Sequence, residues 1–398
     1  MGKRAPAAVA QGIEAPRLVA HVVEQLDGAG AGLLDLIEHT PAERYRHAVL
    51  CQGQHCALHA HLRERGVEVV DLKRGPGLDA AYYLRLYRAL RSLRPDLVHT
   101  RNLGSLDGQL VAALAGIRLR VHGEYACAAL RPPRRARLRL LRPMLPHMLR
   151  RLVQHYIAAS AEQERWLIEQ VGAAPAQVTQ ISAGVDSVEF HPRLGPHAAV
   201  GPAGFMRDDA YVIGSVGRMD QASNEMALVE AFLRLISSPH PAHRRLRLLL
   251  VGDGPLRAEC RAMLERAGAG ERAWLAGARA DVAQLLRAMD LMVLPALTTA
   301  APGPLLEAMA SGLPVVATAI GAHRELVQPG LTGILVPPGS SETMAAAIAD
   351  YCRIPEMGLR HGARARGQVI ARHNLPAMAR STLAVYDALA QQAAPARR

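Results

Sequence analysis

The chain has 398 residues, half of them apolar, a formal net charge of +12 and a pI near 10. That length suits two domains with sizeable cores, and the low aromatic content of 4% gives little material for stacking on nucleic-acid bases. No helix-turn-helix, zinc-finger or RNP pattern accompanies the charge, so nucleic acid is excluded as the expected partner.

The first 18 residues start basic but lack an apolar core before Glu14, so they do not read as a signal peptide. No run approaches the roughly 18 apolar residues of a spanning helix. Five scattered Cys fit a reducing compartment better than a disulfide framework. Strand and helix signals then alternate. Residues 17–23 read as a strand running into the glycine cluster Gly28, Gly30 and Gly32, and residues 33–39 have helical spacing. Residues 47–51 and 67–71 read as strands, 82–93 as an amphipathic helix broken at Pro95, and 96–100 as a strand. A helix over 106–115, a strand over 119–122, a strand over 156–160 and a helix to Val171 complete a doubly wound α/β pattern. Cys51, His55, Cys56, His59 and His61 fall close together, but their spacing matches no zinc pattern, and an ordinary loop and helix is expected.

A Pro/Gly-rich stretch, 191–204, reads as a linker, after which the pattern restarts. Strands are expected at 211–216, 246–251, 274–275 and 291–295, with a helix over 281–289. Residues 304–339 form the most informative segment. A helix opening at Pro304 carries Glu307 in its first turn, then come a turn at Ser311-Gly312, a buried strand over 313–318, Gly321 and a second turn at Pro329-Gly330. This is an α/β unit of a parallel sheet whose helix starts at a strand's carboxyl end, where free N–H groups bind phosphate. The fold class is therefore α/β, with two Rossmann-like doubly wound domains facing across a cleft. The expected divisions are an N-terminal domain at 1–192, a linker at 193–208, a C-terminal domain at 209–375, and a terminal helix and tail at 376–398, which packs on either domain.

Six pieces carry a family resemblance: RPDLVHTRNL (94–103), HGE (122–124), AGVDSVEFHP (183–192), VGRMD (216–220), LLVGDGPLR (249–257) and LLEAMASGLPVVAT (305–318). In this order and spacing the chain resembles the retaining GT-B glycosyltransferases of family four. The likeness is nearest to the sugar transferases of bacterial exopolysaccharide and exosortase systems. The resemblance implies a hexosyltransferase that moves sugar from a nucleotide-sugar, held by the C-terminal domain, to a saccharide or lipid-linked acceptor on the N-terminal domain. It implies that Arg218 binds the diphosphate, that Glu307 holds the ribose hydroxyls, and that His122 lies near the transferred sugar and phosphate. Gly28, Gly30 and Gly32 form a loop beside the donor. Gly303, Leu305 and Leu306, at the tip of the Glu307 helix, complete the donor site.

Two positions depart from the family pattern. Ser223 stands where the family has a diphosphate-binding Lys, and Thr299 where it has a sugar-contacting Glu. An impaired homologue acting as a binding partner is thus the alternative to an active enzyme; an epimerase on a similar fold is a weaker third reading. No Asp-X-Asp pattern stands out, so neither metal nor cofactor is expected beyond the nucleotide-sugar substrate. The Arg-rich run 131–143 suggests docking to an anionic membrane surface, which makes the expected location cytoplasmic and peripheral on the inner face.

Overall fold

The structure, a computed structural model, describes residues 15–26, 31–53, 57–75, 77, 79–125, 144–197, 200–298 and 302–393. Gly28, Gly30, His55, Cys56, the arginine run 131–143 and Thr299 lie outside the described residues.

Seven strands form a first sheet: β1 (Arg17–Val23), β2 (Tyr45–Cys51), β3 (Glu68–Asp71), β4 (Leu97–Arg101), β5 (Leu119–Glu124), β6 (His155–Ala158) and β7 (Val178–Gln180). Their spatial order is β3-β2-β1-β4-β5-β6-β7. A second sheet has six: β8 (Tyr211–Val216), β9 (Leu246–Val251), β10 (Ala273–Gly277), β11 (Leu291–Leu294), β12 (Val315–Thr318) and β13 (Gly333–Val336), ordered β10-β9-β8-β11-β12-β13. The recorded pairings in both sheets are parallel. Helices cover parallel sheets on both faces, which is why the central strands read as unbroken apolar runs. All six residues of β9 (LRLLLV) are buried, including Arg247.

Packing divides the chain into two compact units. One comprises residues 1–122, 151–154 and 386–398; the other comprises 123–150 and 155–385. The first unit's core joins Ala20, Val22, Val98 and Leu50 on the strands to Tyr82, Leu86 and Leu90 of the Ala80–Leu93 helix. That helix starts on Asp79, whose side chain accepts from the Tyr82 N–H, and ends on Arg94 in the left-handed conformation before Pro95. The end of the Leu375–Ala393 helix belongs to this unit. Tyr386 Oη lies 2.6 Å from His99 Nδ1, and Asp387 accepts from Arg44 (2.6 Å) and the Tyr45 hydroxyl (2.8 Å).

In the second unit two apolar layers line the six-stranded sheet. The Pro/Gly-rich stretch after residue 191 is pinned there: Arg193 donates to Asp290 at 2.8 Å and His197 pairs with the same carboxylate at 3.0 Å. Three local readings change. The helix carrying Glu307 is Gly303–Ala310, so Glu307 sits in its second turn, not its first. Gly321 opens a helix, Gly321–Leu326, where only a glycine-rich return was expected. The helix expected to reach Val171 changes to π-helical winding at Leu167–Val171.

Candidate active site

In the six-stranded sheet the chain winds outward from β8 to β9 and β10, then crosses to β11, β12 and β13 on the other side of β8. The strand order thus reverses between β8 and β11, and the carboxyl ends of these two strands are the usual ligand position in such sheets. Arg218 follows β8 and Gly303 follows β11. The two loops are tied together: Leu297 N–H donates to Ala222 O (2.8 Å) and Asn224 Nδ2 to Pro295 O (3.4 Å).

The β8 loop has a defined shape. Asp220 Oδ1 accepts from the N–H groups of Ala222 and Ser223 (3.0 and 3.1 Å). Asn224 then takes the left-handed conformation at φ 59° and launches the Glu225–Ile236 helix. Arg218 is 74% exposed, and its Nε lies 3.3 Å from Asp220 Oδ2. An exposed pair of this kind holds its partners weakly, so the guanidinium is available to a competing anion.

The glycines of LLVGDGPLR have a steric cause. Gly252 adopts φ +135°, and a β-carbon there would lie 1.8 Å from Gly217 O; one on Gly254 would lie 2.3 Å from Met219 O. Hydrogen bonds from Met219 N to Asp253 O and from Leu256 N to Met219 O, both 3.0 Å, lock the Arg218 loop onto this turn.

At the β11 side, the Leu305 and Leu306 side chains are core, 0% and 1% exposed. The Leu306 N–H is already spent on Pro302 O at 3.0 Å, and Pro304 has none; among the described residues no partner is recorded for the Gly303 and Leu305 N–H groups at the helix tip. Glu307 folds back toward this tip. Burial, with a smaller contribution from the nearby Glu189 charge, pushes its pKa up to about 7. Arg366 holds the other end of the helix by donating to Ala310 O, and also donates to Phe190 O (3.0 Å) and Ser187 O (3.3 Å). That guanidinium explains why AGVDSVEFHP and LLEAMASG occur together: they meet on it.

Glu225 is a residue that the sequence reading missed. It is 3% exposed, one carboxylate oxygen is buried without a hydrogen-bond partner, and burial followed by the Asp220 charge pushes its pKa up to about 8. It is a neutral acid beneath Gly217. Its signal in the sequence was an acidic residue opening a helix directly after the β8 loop. Arg279, on the loop after β10, is paired with Asp281 at 2.7 Å.

In the first unit His122 is 2% exposed at the end of β5. Gln109 Nε2 donates to Val121 O (2.7 Å), a group that only accepts, which fixes the amide orientation. The same Nε2 donates to Thr100 Oγ1 (2.7 Å). The Thr100 hydroxyl proton is then best placed on His122 Nδ1, 2.8 Å away, since Val121 O is 3.5 Å away. In that arrangement His122 Nδ1 is the acceptor. Gly32 stands beside Arg101: a β-carbon on it would lie 3.9 Å from Arg101 Nη2. Arg101 is 5% exposed at the end of β4, a buried charge inside RPDLVHTRNL whose position was also not singled out. Arg74 laces the neighbouring strand-end loops, donating to Gln52 (2.9 Å), Gly104 O (3.0 Å) and Asp107 (2.6 Å).

Among the described residues no three His, Cys, Asp or Glu side chains gather as a metal site. His59 lies 2.9 Å from Asp71 and His61 3.7 Å from Glu38. No described helix is long and apolar enough to cross a membrane.

Two parallel Rossmann-like sheets, of seven and six strands, are the fold class of GT-B proteins. Residues 26–189 match the family described as Glycosyltransferase Family 4, and residues 210–353 match Glycosyl transferases group 1. The chain belongs to these family four, group 1 glycosyltransferases. An Escherichia coli UDP-Gal:alpha-D-GlcNAc-diphosphoundecaprenol alpha-1,3-galactosyltransferase is 26% identical over 275 residues, 68% of this chain and 70% of that protein. A D-inositol 3-phosphate glycosyltransferase of Kribbella flavida is 31% identical over 206 residues, about half of each chain (50% and 48%). In fold the chain is similar to Anabaena HepE in complex with UDP-glucose: TM-score 0.76 and 20% identity, covering 94% of this chain and 100% of that one.

Proposed function

We propose that this chain is a retaining hexosyltransferase that transfers a sugar from a nucleoside-diphosphate sugar to a lipid-linked or polysaccharide acceptor. The observation that carries this reading is the pair of hydrogen bonds, Leu297 N–H to Ala222 O and Asn224 Nδ2 to Pro295 O, that ties the loop bearing Arg218 to the segment leading to the Gly303 helix. In the reaction the bond from the anomeric carbon to the diphosphate oxygen breaks, the acceptor hydroxyl oxygen bonds to that carbon on the same face, and the hydroxyl proton leaves with the diphosphate. Charge develops on the departing diphosphate, which is where fixed donors accelerate such a step. Arg218 offers a planar fork of donors, and Gly303 and Leu305 offer helix-end N–H groups. Glu307 takes the ribose hydroxyls, and Gly32, which the structure places in the Ala31–Glu38 helix rather than in a loop, keeps the donor-side role that the resemblance implies. His122 keeps the place near the transferred sugar and phosphate that the resemblance implies.

The acceptor class is supported by the substrate of the Escherichia coli relative, a diphosphoundecaprenol-linked sugar. A UDP donor is supported by that relative and by the UDP-glucose complex of HepE. Membrane docking through the 131–143 run, and with it a peripheral position at the inner face, belongs to the same reading; sedimentation with anionic liposomes at low salt tests it.

Three observations favour a second reading, that of an impaired homologue. Ser223 lacks a charge where the resemblance implies Lys, Thr299 lacks the carboxylate, and Asp220 already faces Arg218. Loss of one fixed donor typically costs on the order of 100-fold in rate. Calorimetry with UDP, GDP and their sugars, followed by donor turnover, separates the two readings. Binding that is lost in Arg218→Ala, with turnover by the natural protein, supports the enzyme. Binding without turnover that Ser223→Lys restores supports the impaired homologue, and no nucleotide binding at all ends both donor-site readings.

A further inference from the structure

At the opposite end of the six-stranded sheet, five guanidinium groups surround one concavity. Arg207 precedes β8, Arg244, Arg245 and Arg247 straddle the start of β9, and Arg272 precedes β10. They line a cavity of about 410 Å³ whose only acid is Asp209. The strands between this end and the Arg218 loop are six residues long, on the order of 20 Å. One small ligand cannot span both ends.

The arginines are not there to neutralise acids. Arg207 makes a loose 3.7 Å contact with Asp209, both mostly exposed. Arg244, Arg247 and Arg272 have no ion pair among the described residues. Arg247 is 5% exposed, and its Nε and Nη1 donate to Phe205 O and Leu246 O, both at 3.0 Å. Arg245 Nη2 donates to Cys352 O at 3.2 Å, its Nε is buried without a hydrogen-bond partner, and its guanidinium carbon lies 5.5 Å from the centre of the Tyr211 ring. Carbonyls and an aromatic face fix two of these side chains but leave their charge uncompensated. Burial lowers the Arg247 pKa most, the charges of Arg272 and Arg207 lower it further, and Asp209 opposes them by a smaller amount. Guanidinium groups held in fixed orientations without counter-charges match the bidentate geometry of phosphate oxygens.

We propose that the Arg207–Arg244–Arg245–Arg247–Arg272 concavity is a second anion site, distinct from the donor site, that takes a phosphoryl-bearing polyanion. The anion arrives either as a free phosphoryl compound or as a lipid phosphate headgroup.

Inorganic pyrophosphate titrated into the full chain, by calorimetry and thermal shift at fixed ionic strength, tests this. The expected result is saturable binding and a raised Tm. In Arg244→Gln/Arg272→Gln, the affinity falls by about tenfold or more, while Arg218→Ala leaves this binding event in place. Without anion the double variant's Tm stays level or rises, since like-charge repulsion is relieved. Should the double variant not fold, Arg244→Gln alone, at an exposed position, carries the same comparison. Co-sedimentation with phosphatidylglycerol vesicles, lost in the variant and competed by pyrophosphate, assigns the site to lipid headgroups. Sedimentation equal in both proteins, with pyrophosphate binding still variant-sensitive, assigns it to a free anion. No pyrophosphate binding, or equal affinity in the natural and variant proteins, overturns the proposal and leaves a solvated basic face.

Discussion

Glu307 Oε1 lies 3.7 Å from the point that a β-carbon would occupy on Gly303. The carboxyl group is thus folded back over the tip of its own helix, close to the two N–H groups left without intrahelical partners. Burial holds its pKa at about 7 in this position. Its charge therefore changes within the working pH range of most enzymes, and an ionised Glu307 accepts from two hydroxyls where a neutral one does not. Nucleotide affinity is expected to rise from pH 6 to pH 8. Glu307→Gln weakens binding by about tenfold at pH 8, a charge-assisted bond being the stronger kind, and flattens the profile. Calorimetry across that range checks it; identical profiles in the two proteins would exclude Glu307 from the ribose.

Glu225 carries a larger shift of the same sign. Its folded pKa of about 8 stands above the model-compound value of 4.5. Between these values the folded state holds a proton that the unfolded state has released, so this group's contribution to stability falls as pH rises from 4.5 through 8. Glu225→Gln keeps the shape and removes the penalty. At pH 8.5 the variant is expected to be more stable by roughly 1–3 kcal/mol, and at pH 4.5 about equal. Denaturant unfolding at the two pH values measures the difference, and a destabilised variant at pH 8.5 would show that the acid has a partner in the fold.

The histidines of the first sheet give the opposite slope. His21 Nε2 lies 2.9 Å from His47 Nδ1, and the His21 and His99 ring centres are 5.4 Å apart. Burial lowers all three, His47 to about 4 and the other two well below their ordinary value. A neutral buried His contributes stability that is lost as pH falls from 6.5 toward the folded pKa, because the unfolded chain takes up the proton first. His47 alone accounts for about 2 kcal/mol between pH 6.5 and 5. His47→Gln is expected to shrink the acid loss of Tm over that interval; an unchanged acid limb would mean that other groups control it.

Gly252→Ala tests the interlocked loops. Its β-carbon would sit 1.8 Å from Gly217 O in a φ +135° backbone, so the substitution should cost more than about 3 kcal/mol. Gly268→Ala, with φ +66° and open space around it, should cost only about 1 kcal/mol. Equal losses of Tm in the two variants would mean that backbone conformation, not contact with the Arg218 loop, is the reason for Gly252.

Several strands were legible because parallel strands buried on both faces leave no polar alternation to confuse them. The boundaries read for β1, β8 and β9 agree with those observed. The three-residue β7 was not read, since a segment that short carries no period. The Gly303–Ala310 helix was expected one residue late, because proline favours the first turn without saying which position in it.

By itself the chain determined the alternation of apolar runs and turns, and the glycines where two backbones must pass closely, because burial and steric exclusion act on each segment locally. Only the tertiary structure decided which charges stand alone. Arg244, Arg247 and Arg272 become a cluster, and Glu225 and Glu307 become weak acids, through neighbours and burial that sheet topology supplies. Solvation and Coulomb energies depend on distances in space, and those are set by residues far apart in sequence.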